Sequence, residues 1–191
     1  MLSAPSGAGK TTLVEALRKT SEFIYSVSCT TRPARAGEID GEDYRFLSDE
    51  EFQTRAKAGE FLEHATVHGH HYGTLLTPIA ESLNHGRDVL IDIDTQGAAN
   101  IRNSRQEFIR QALADIFLMP PDVEELRRRL TKRGTETAEQ IETRLSNAIR
   151  EMESWPHYRY TIISRTTDDD LEKFRHIMQA ERYLSRRLLQ K

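Results

Sequence analysis

Residues 3–13 read SAPSGAGKTTL, a run that sets Gly7, Gly9, Lys10, Thr11 and Thr12 almost side by side. A loop of this composition turns successive backbone N–H groups toward one point, at the start of a helix whose dipole favours anions. Gly7 and Gly9 allow backbone angles and a close approach that a β-carbon would hinder. Lys10 brings a point charge to β- and γ-phosphates, and the Thr11 hydroxyl can ligate Mg²⁺. The usual pattern is G-x-x-x-x-G-K-[ST]; Ala4 stands at its first glycine, which a negative φ at that position tolerates. Ala4, Pro5, Ser6, Gly7, Ala8, Gly9, Lys10, Thr11 and Thr12 are therefore the expected nucleotide-binding residues. Leu13, Val14 and Leu17 follow at helical spacing, so the loop opens a helix. Only Met1, Leu2 and Ser3 precede it, so the strand expected there is a stub or begins upstream.

Composition bounds the rest. A chain of 191 residues suits one α/β unit, with room for an inserted lobe. Charged residues make up 30% and apolar ones 37%, and the net charge of −3 argues against a sequence-independent grip on nucleic acid. Cys29 is the only cysteine, which excludes an intramolecular disulfide and fits a reducing compartment. No apolar run approaches the roughly 18 residues of a membrane helix, and no signal peptide opens the chain. The expectation is a cytoplasmic protein with no membrane or nucleic-acid partner; a monomer and a homo-oligomer both remain open.

Strand and helix signals alternate along the chain. FIYSVS (23–28) reads as a strand, 29–43 as a loop, and YRFL (44–47) as a short strand. Ser48 and Glu51 form a capping box for a helix that Gly59 stops. Residues 60–74 have strand character, and Thr77-Pro78 opens a helix ending at Gly86. DVLIDI (88–93) and ADIFLM (114–119) are short apolar runs of the kind buried in parallel sheets. Pro120-Pro121 introduces a helix through Arg133 to Gly134, and Thr137 with Gln140 caps the next, which aligns Ile141, Leu145, Ala148, Ile149 and Met152. A last strand, YRYTII (158–163), and a helix over 168–190 complete the chain. The fold class is α/β, a parallel sheet flanked by helices. The 30–87 region breaks the rhythm and reads as an inserted mixed α/β lobe. The core is then 1–29 with 88–191, carrying a helical lid at about 120–150.

Asp92 and Asp94 stand two apart at the C-terminal end of their strand, where ligands bind in open α/β sheets. Asp92 is the candidate for a Mg²⁺ shell with Thr11; capping of the following helix is the alternative role.

The chain resembles the guanylate kinases. The stretches that carry the resemblance are SAPSGAGKTTL, SVSCTTRPARAGEIDGEDYRF, GEFLEHATVHGHHYGT, VLIDIDTQGA, MPPDVEELRRRLTKRGTE and TRLSNAIREM. They keep the family's order and spacing over most of residues 3–160, and bacterial members commonly carry Ala at the Ala4 position. The resemblance implies transfer of the ATP γ-phosphate to GMP, with Mg²⁺, giving ADP and GDP. It also implies that Ser28, Arg32, Arg35 and Tyr44 hold the GMP phosphate, with Tyr72 beside them, and it assigns Asp94 to the GMP site.

The residues speak to the same chemistry. Arg32 and Arg35 offer two guanidinium forks near the Tyr44 phenol, a set suited to a monophosphate. Guanine presents N1–H and N2–H₂ side by side, and the Glu63 carboxylate offers two matching acceptors. Adenine has a bare acceptor at N1, so a buried Glu63 rejects it. Thr74 can donate to guanine O6, where relatives often have Ser. Arg129 and Arg133 share a helix face while Leu126 and Leu130 point to the core, and Arg144 lies on the next helix. Phosphoryl transfer asks for alignment and neutralised charge rather than a general base, so Lys10, Arg35, Arg129, Arg133 and Arg144 are the expected catalytic residues. Arg127 and Arg128 are expected to face solvent. His64, His68, His70 and His71 fit no closed zinc spacing. Ser164 stands where relatives commonly have an adenine-contacting Asn, with Arg165, Thr166 and Thr167 apparently inserted after it, so no adenine contact is assigned.

A catalytically inactive binding module is the competing reading. The intact Lys10, Thr11 and arginines argue against it.

Overall fold

The computed structural model describes residues 1–67, 69–132 and 137–188. Strand β1 (Leu2–Ser3) leads through the glycine-rich loop into α1 (Lys10–Arg18), followed by β2 (Ile24–Tyr25), β3 (Cys29–Thr30) and β4 (Arg45–Phe46). Next come α2 (Asp49–Lys57), β5 (Phe61–Val67), β6 (His70–Leu75), α3 (Leu76–Asn84) and β7 (Val89–Leu90). Helices α4 (Thr95–Arg102) and α5 (Glu107–Ala112), strand β8 (Ile116–Met119) and helices α6 (Val123–Lys132) and α7 (Ala138–Met152) follow. The chain continues with β9 (Tyr160–Ile163), α8 (Thr167–Arg182) and α9 (Ser185–Leu188). It divides into two compact units: residues 1–20 with residues from 114 on, and residues 21–113.

In the first unit β1, β8 and β9 form a parallel sheet in the order β1-β8-β9. Leu2 and Ser3 pair with Ile116 and Phe117, and Ile116 to Met119 pair with Tyr160 to Ile163. Ile116, Phe117 and Leu118 are fully buried, as a parallel strand covered on both faces requires. Helices α1 and α8 pack against each other, and α8 also packs against β9. A separate apolar cluster joins α6 to α7: Leu126 and Leu130 meet Leu145 and Ala148, with Val123, Ile141 and Met152 at its edge. Ile149, expected on that face, is instead 38% exposed. The Thr137 hydroxyl accepts from Gln140 N–H, and the Gln140 side chain accepts from Thr137 N–H at 2.9 Å, closing the expected capping box.

In the second unit β2 and β7 pair in parallel, and a mixed sheet runs β4-β3-β6-β5. One side of it is the antiparallel hairpin of β5 and β6, with β5 at the edge, in which Glu63 stands opposite Thr74 and Ala65 opposite Tyr72. Strand alternation buries Glu63 and exposes His64. Ser48 and Glu51 form the reciprocal capping box of α2, with Ser48 N–H donating to Glu51 at 2.9 Å.

Several elements differ from the sequence expectation. Residues 23–28 do not make one strand; only Ile24–Tyr25 pair with β7, and Cys29–Thr30 turn to join the mixed sheet. Residues 88–93 hold a two-residue strand, since pairing with β2 ends at Leu90. Helices α4 and α5 occupy Thr95–Arg102 and Glu107–Ala112, where Gly97 and sparse apolar spacing hid the helical signal. The terminal helix breaks at Tyr183 into α8 and α9. The Arg133 and Gly134 helix end lies outside the described residues.

Leu130 is fully buried in the α6–α7 cluster. Leu130→Ala is expected to lower unfolding free energy by about 2–5 kcal/mol, measured by urea denaturation, because the cavity cannot fully collapse. A loss under about 1 kcal/mol would show that the cluster does not hold α6.

Candidate active site

The glycine-rich loop belongs to the first unit. Gly7 has φ 87 and Gly9 φ 102, a left-handed backbone that side chains with a β-carbon rarely adopt. At Gly7 space is also closed: a Cβ there would lie 2.8 Å from Leu130 Cδ2. The loop is thus laid directly on the α6 side chains. Gly9 is the N-cap of α1, and no side chain caps that end. Lys10 begins the helix, and Thr11 and Thr12 on its first turn are exposed.

Side chains from α6, α7 and the β9–α8 corner converge on this loop. Arg144 Nη2 donates to Ser6 Oγ at 2.8 Å, while Ser6 N–H donates to Glu151 Oε2 at 3.0 Å. Arg129 Nη1 donates to the Ala8 carbonyl at 2.8 Å and to Ser164 Oγ at 3.1 Å. Arg129 Nε donates to Glu125 Oε1 at 2.7 Å. Glu125 also takes Arg128, and the two arginines hold its carboxyl well below the usual range, at about 2, with Arg128 the larger cause. A cavity of about 440 Å³ opens beside the loop, with Gly9, Thr12, Arg129, Ser164 and Thr167 among its lining. Arg127 pairs with Glu142 on the exposed surface, and Arg128 is exposed as expected. Arg133 lies outside the described residues.

The second unit carries the other predicted residues. Glu63 is 8% exposed and Thr74 1%, and Thr74 Oγ1 donates to Glu63 Oε1 at 2.7 Å. Burial pushes the Glu63 carboxyl up to about 7; the Thr74 hydroxyl opposes that and Asp94 adds to it. Asp94 is the N-cap of α4, accepting from Gly97 N–H at 2.7 Å. Capping therefore falls to Asp94 rather than to Asp92, two residues earlier. Helix α4 packs on β5 through Gly97, where a Cβ would sit 2.7 Å from Ile93 and 3.0 Å from Glu63 Oε2.

Arg32 and Tyr44 also meet here. The guanidinium lies 5.4 Å from the Tyr44 ring centroid, and the Tyr44 and Tyr72 rings are 6.1 Å apart. Burial, then the Asp92 charge, raises the Tyr44 phenol above its ordinary value. Arg32 Nη2 forks onto both oxygens of Glu38, at 2.8 and 3.0 Å, and Arg35 N–H donates to the same carboxylate at 2.7 Å. The Arg35 side chain is exposed, and Ser28 gives its carbonyl to Arg45 N–H. Of the histidines, His71 stacks on Phe52 at 5.2 Å and hydrogen-bonds Thr66, and His64 packs edge-on to Phe52. His68 lies outside the described residues.

These two constellations can be set beside known proteins. The family model for guanylate kinase matches residues 1–181. The chain belongs to the guanylate kinase family. It is 41% identical over 182 residues to a guanylate kinase of Clostridium tetani, covering 95% of this chain and 85% of that one. It is 46% identical over 186 residues to that of Novosphingobium aromaticivorans, covering 95% and 81%. The crystal structure of guanylate kinase from Anaplasma phagocytophilum superposes with a TM-score of 0.77 at 34% identity, covering 97% of this chain and 86% of that one.

Within this guanylate kinase fold, four carboxylates around the predicted residues were not expected from the sequence. Glu38, Glu125, Glu151 and Asp170 each engage a predicted residue or its immediate partner. Glu125 had a signal, its spacing of four from Arg129 on one helix. Glu151 and Asp170 had none, because their partners are 145 and 6 residues away across loops.

Folding raises Glu63 from 4.5 to about 7, so between those values the folded chain binds more protons than the unfolded one. Its contribution to stability is greatest below the lower value and is lost as pH rises through the upper. Urea denaturation of the protein and of Glu63→Gln should show the first losing up to about 1.4 kcal/mol per pH unit relative to the second in that window. A difference that does not change with pH would contradict the buried carboxyl.

Proposed function

We propose that this chain transfers the γ-phosphate of ATP to GMP, giving ADP and GDP. The observation that carries the reading is the buried Glu63–Thr74 pair, in a chain that belongs to the guanylate kinase family. Glu63 Oε1 already accepts from Thr74, and its second oxygen and a lone pair of the first suit the adjacent N1–H and N2–H₂ of guanine. Those two donors stabilise the ionised carboxylate, so binding opposes the burial that protonates it. A base with an acceptor at N1 leaves the carboxylate facing a lone pair, which costs about 1–3 kcal/mol for the unsatisfied group alone. Ser28, Arg32, Arg35, Tyr44 and Tyr72 would hold the GMP phosphate, with Asp94 fixing α4 and contacting the nucleoside. Residues 30–87 would act as the acceptor lobe and about 120–150 as the lid.

In the other unit the loop from Ala4 to Thr12 would act as a P-loop for ATP. Its support is the pair of left-handed glycines, the uncapped α1 N-terminus and Lys10 at the first helical position. The neighbouring cavity falls in the size range of nucleotide-sized sites. Arg129 and Arg144 touch loop atoms, which supports the reading that they, together with Arg35 and Arg133, would neutralise charge on the transferring group. The Thr11 hydroxyl and the Asp92 carboxylate would be the protein's donors to Mg²⁺, since each is a hard oxygen of the kind that ion takes. When bound, Mg²⁺ neutralises charge on the ATP oxygens. The reading places the protein in the cytoplasm, where both nucleotides are found; among the described residues no helix is long and apolar enough to cross a membrane.

The test is ADP release from Mg-ATP with GMP, AMP, UMP or CMP as acceptor. Turnover is expected with GMP only, and Glu63→Gln should lower kcat/KM for GMP about 10- to 100-fold, since the amide keeps one acceptor and misplaces a donor. A folded protein with no turnover on any acceptor would favour a nucleotide- or peptide-binding module instead.

A further inference from the structure

The corner between β9 and α8 holds a buried polar chain. Ser164 is 2% exposed and Asp170 4%. Ser164 Oγ donates its single proton to Asp170 Oδ2 at 2.7 Å. Asp170 Oδ1 accepts from Arg165 N–H at 3.1 Å, so both carboxylate oxygens are engaged by that corner. With its proton committed to Asp170, the Ser164 hydroxyl turns a lone pair outward, and Arg129 Nη1 donates into it at 3.1 Å.

Arg129 Nε is held by Glu125, and Nη1 divides its two protons between Ser164 Oγ and the Ala8 carbonyl of the loop. Nη2 reaches the Ser164 and Arg165 carbonyls only at 3.5 and 3.4 Å. Those are long for N–H···O bonds and therefore weak. One end of the guanidinium is thus fixed to the loop and to Ser164, while Nη2 can exchange its contacts for stronger acceptors such as phosphate oxygens. Gly9 borders the same space, with a Cβ there lying 3.6 Å from Arg129 Nη1 and 3.9 Å from Ser164 Oγ.

We infer that Ser164 and Asp170 are positioning residues that set the orientation of the Arg129 guanidinium against the glycine-rich loop. By taking the Ser164 proton, Asp170 fixes the hydroxyl with a lone pair toward Arg129. This use leaves the hydroxyl no proton to offer a purine base, and at this position the chain aligns a cation. The inference rests on the phosphoryl-transfer reading given above.

The variants divide the possibilities. Ser164→Ala deletes the acceptor, and Ser164→Thr keeps it. Asp170→Asn keeps the shape, but its single oxygen cannot serve both Ser164 O–H and Arg165 N–H, and its amide donates toward Ser164 or Arg165 instead. Initial rates with Mg-ATP and GMP should show kcat lower by about 10²-fold in Ser164→Ala and Asp170→Asn, with KM for GMP little changed and Ser164→Thr near the unaltered protein. In an Arg129→Lys background, Asp170→Asn should add little further loss, because both changes remove one interaction. Additive losses, or variants that melt earlier yet keep kcat, would overturn the inference.

A second readout needs no turnover. In ¹⁵N-arginine-labelled protein, the Arg129 guanidinium resonances report whether the fork is held, and both variants should shift them and speed rotation about Cζ–Nη1. Unchanged resonances would overturn the inference even if the protein phosphorylates GMP. Altered resonances in a protein that phosphorylates nothing would uphold the clamp and sink the kinase reading.

Discussion

Gly7 has no room for a methyl group. Its left-handed backbone carries the loop over Leu126 and Leu130, the first of which would lie 3.0 Å from a Cβ and the second 2.8 Å. The loop's shape therefore depends on the apolar cluster that joins α6 to α7. That cluster also fixes the outward faces of the two helices, and Arg129 and Arg144 extend from them to Ala8 and Ser6. Packing and charge placement are one construction here: moving the leucines would move the arginines and the loop together.

The second constraint is electrostatic. Arginines that lie close together repel one another, and burying them costs hydration. In this fold carboxylates occupy the forks: Glu38 takes Arg32, and Glu125 takes Arg128 and Arg129. Arg32 keeps the Glu38 carboxyl below its ordinary range through that hydrogen bond, with Arg35 N–H adding to it. Such pairing holds side chains in place more than it adds stability, since exposed pairs are worth little. A nucleotide phosphate arriving at Arg32 would compete with an anion already seated there.

Glu63 presents the converse case. It is buried with one hydroxyl donor and a neighbouring acid, so its charge is disfavoured until donors arrive. Gly97 lets α4 approach until almost nothing separates the helix from Glu63 Oε2. The small residue in VLIDIDTQGA thus sets how closely the helix lies against that carboxylate.

Much of this was legible in the chain itself. The glycine spacing, the capping boxes at Ser48 and Thr137, and the period-two burial of Glu63 over His64 are local properties, and local sequence decides them. The alternation of strand and helix signals determined the α/β class for the same reason. Tertiary structure alone decided how long the strands are, because β2 and β7 extend only as far as they pair. It alone decided that Ile149 faces out, that Asp94 caps α4, and which carboxylate meets which arginine. Asp170 and Glu151 find their partners through loops and helix packing whose geometry depends on every neighbour at once, and no spacing rule in one sequence encodes that.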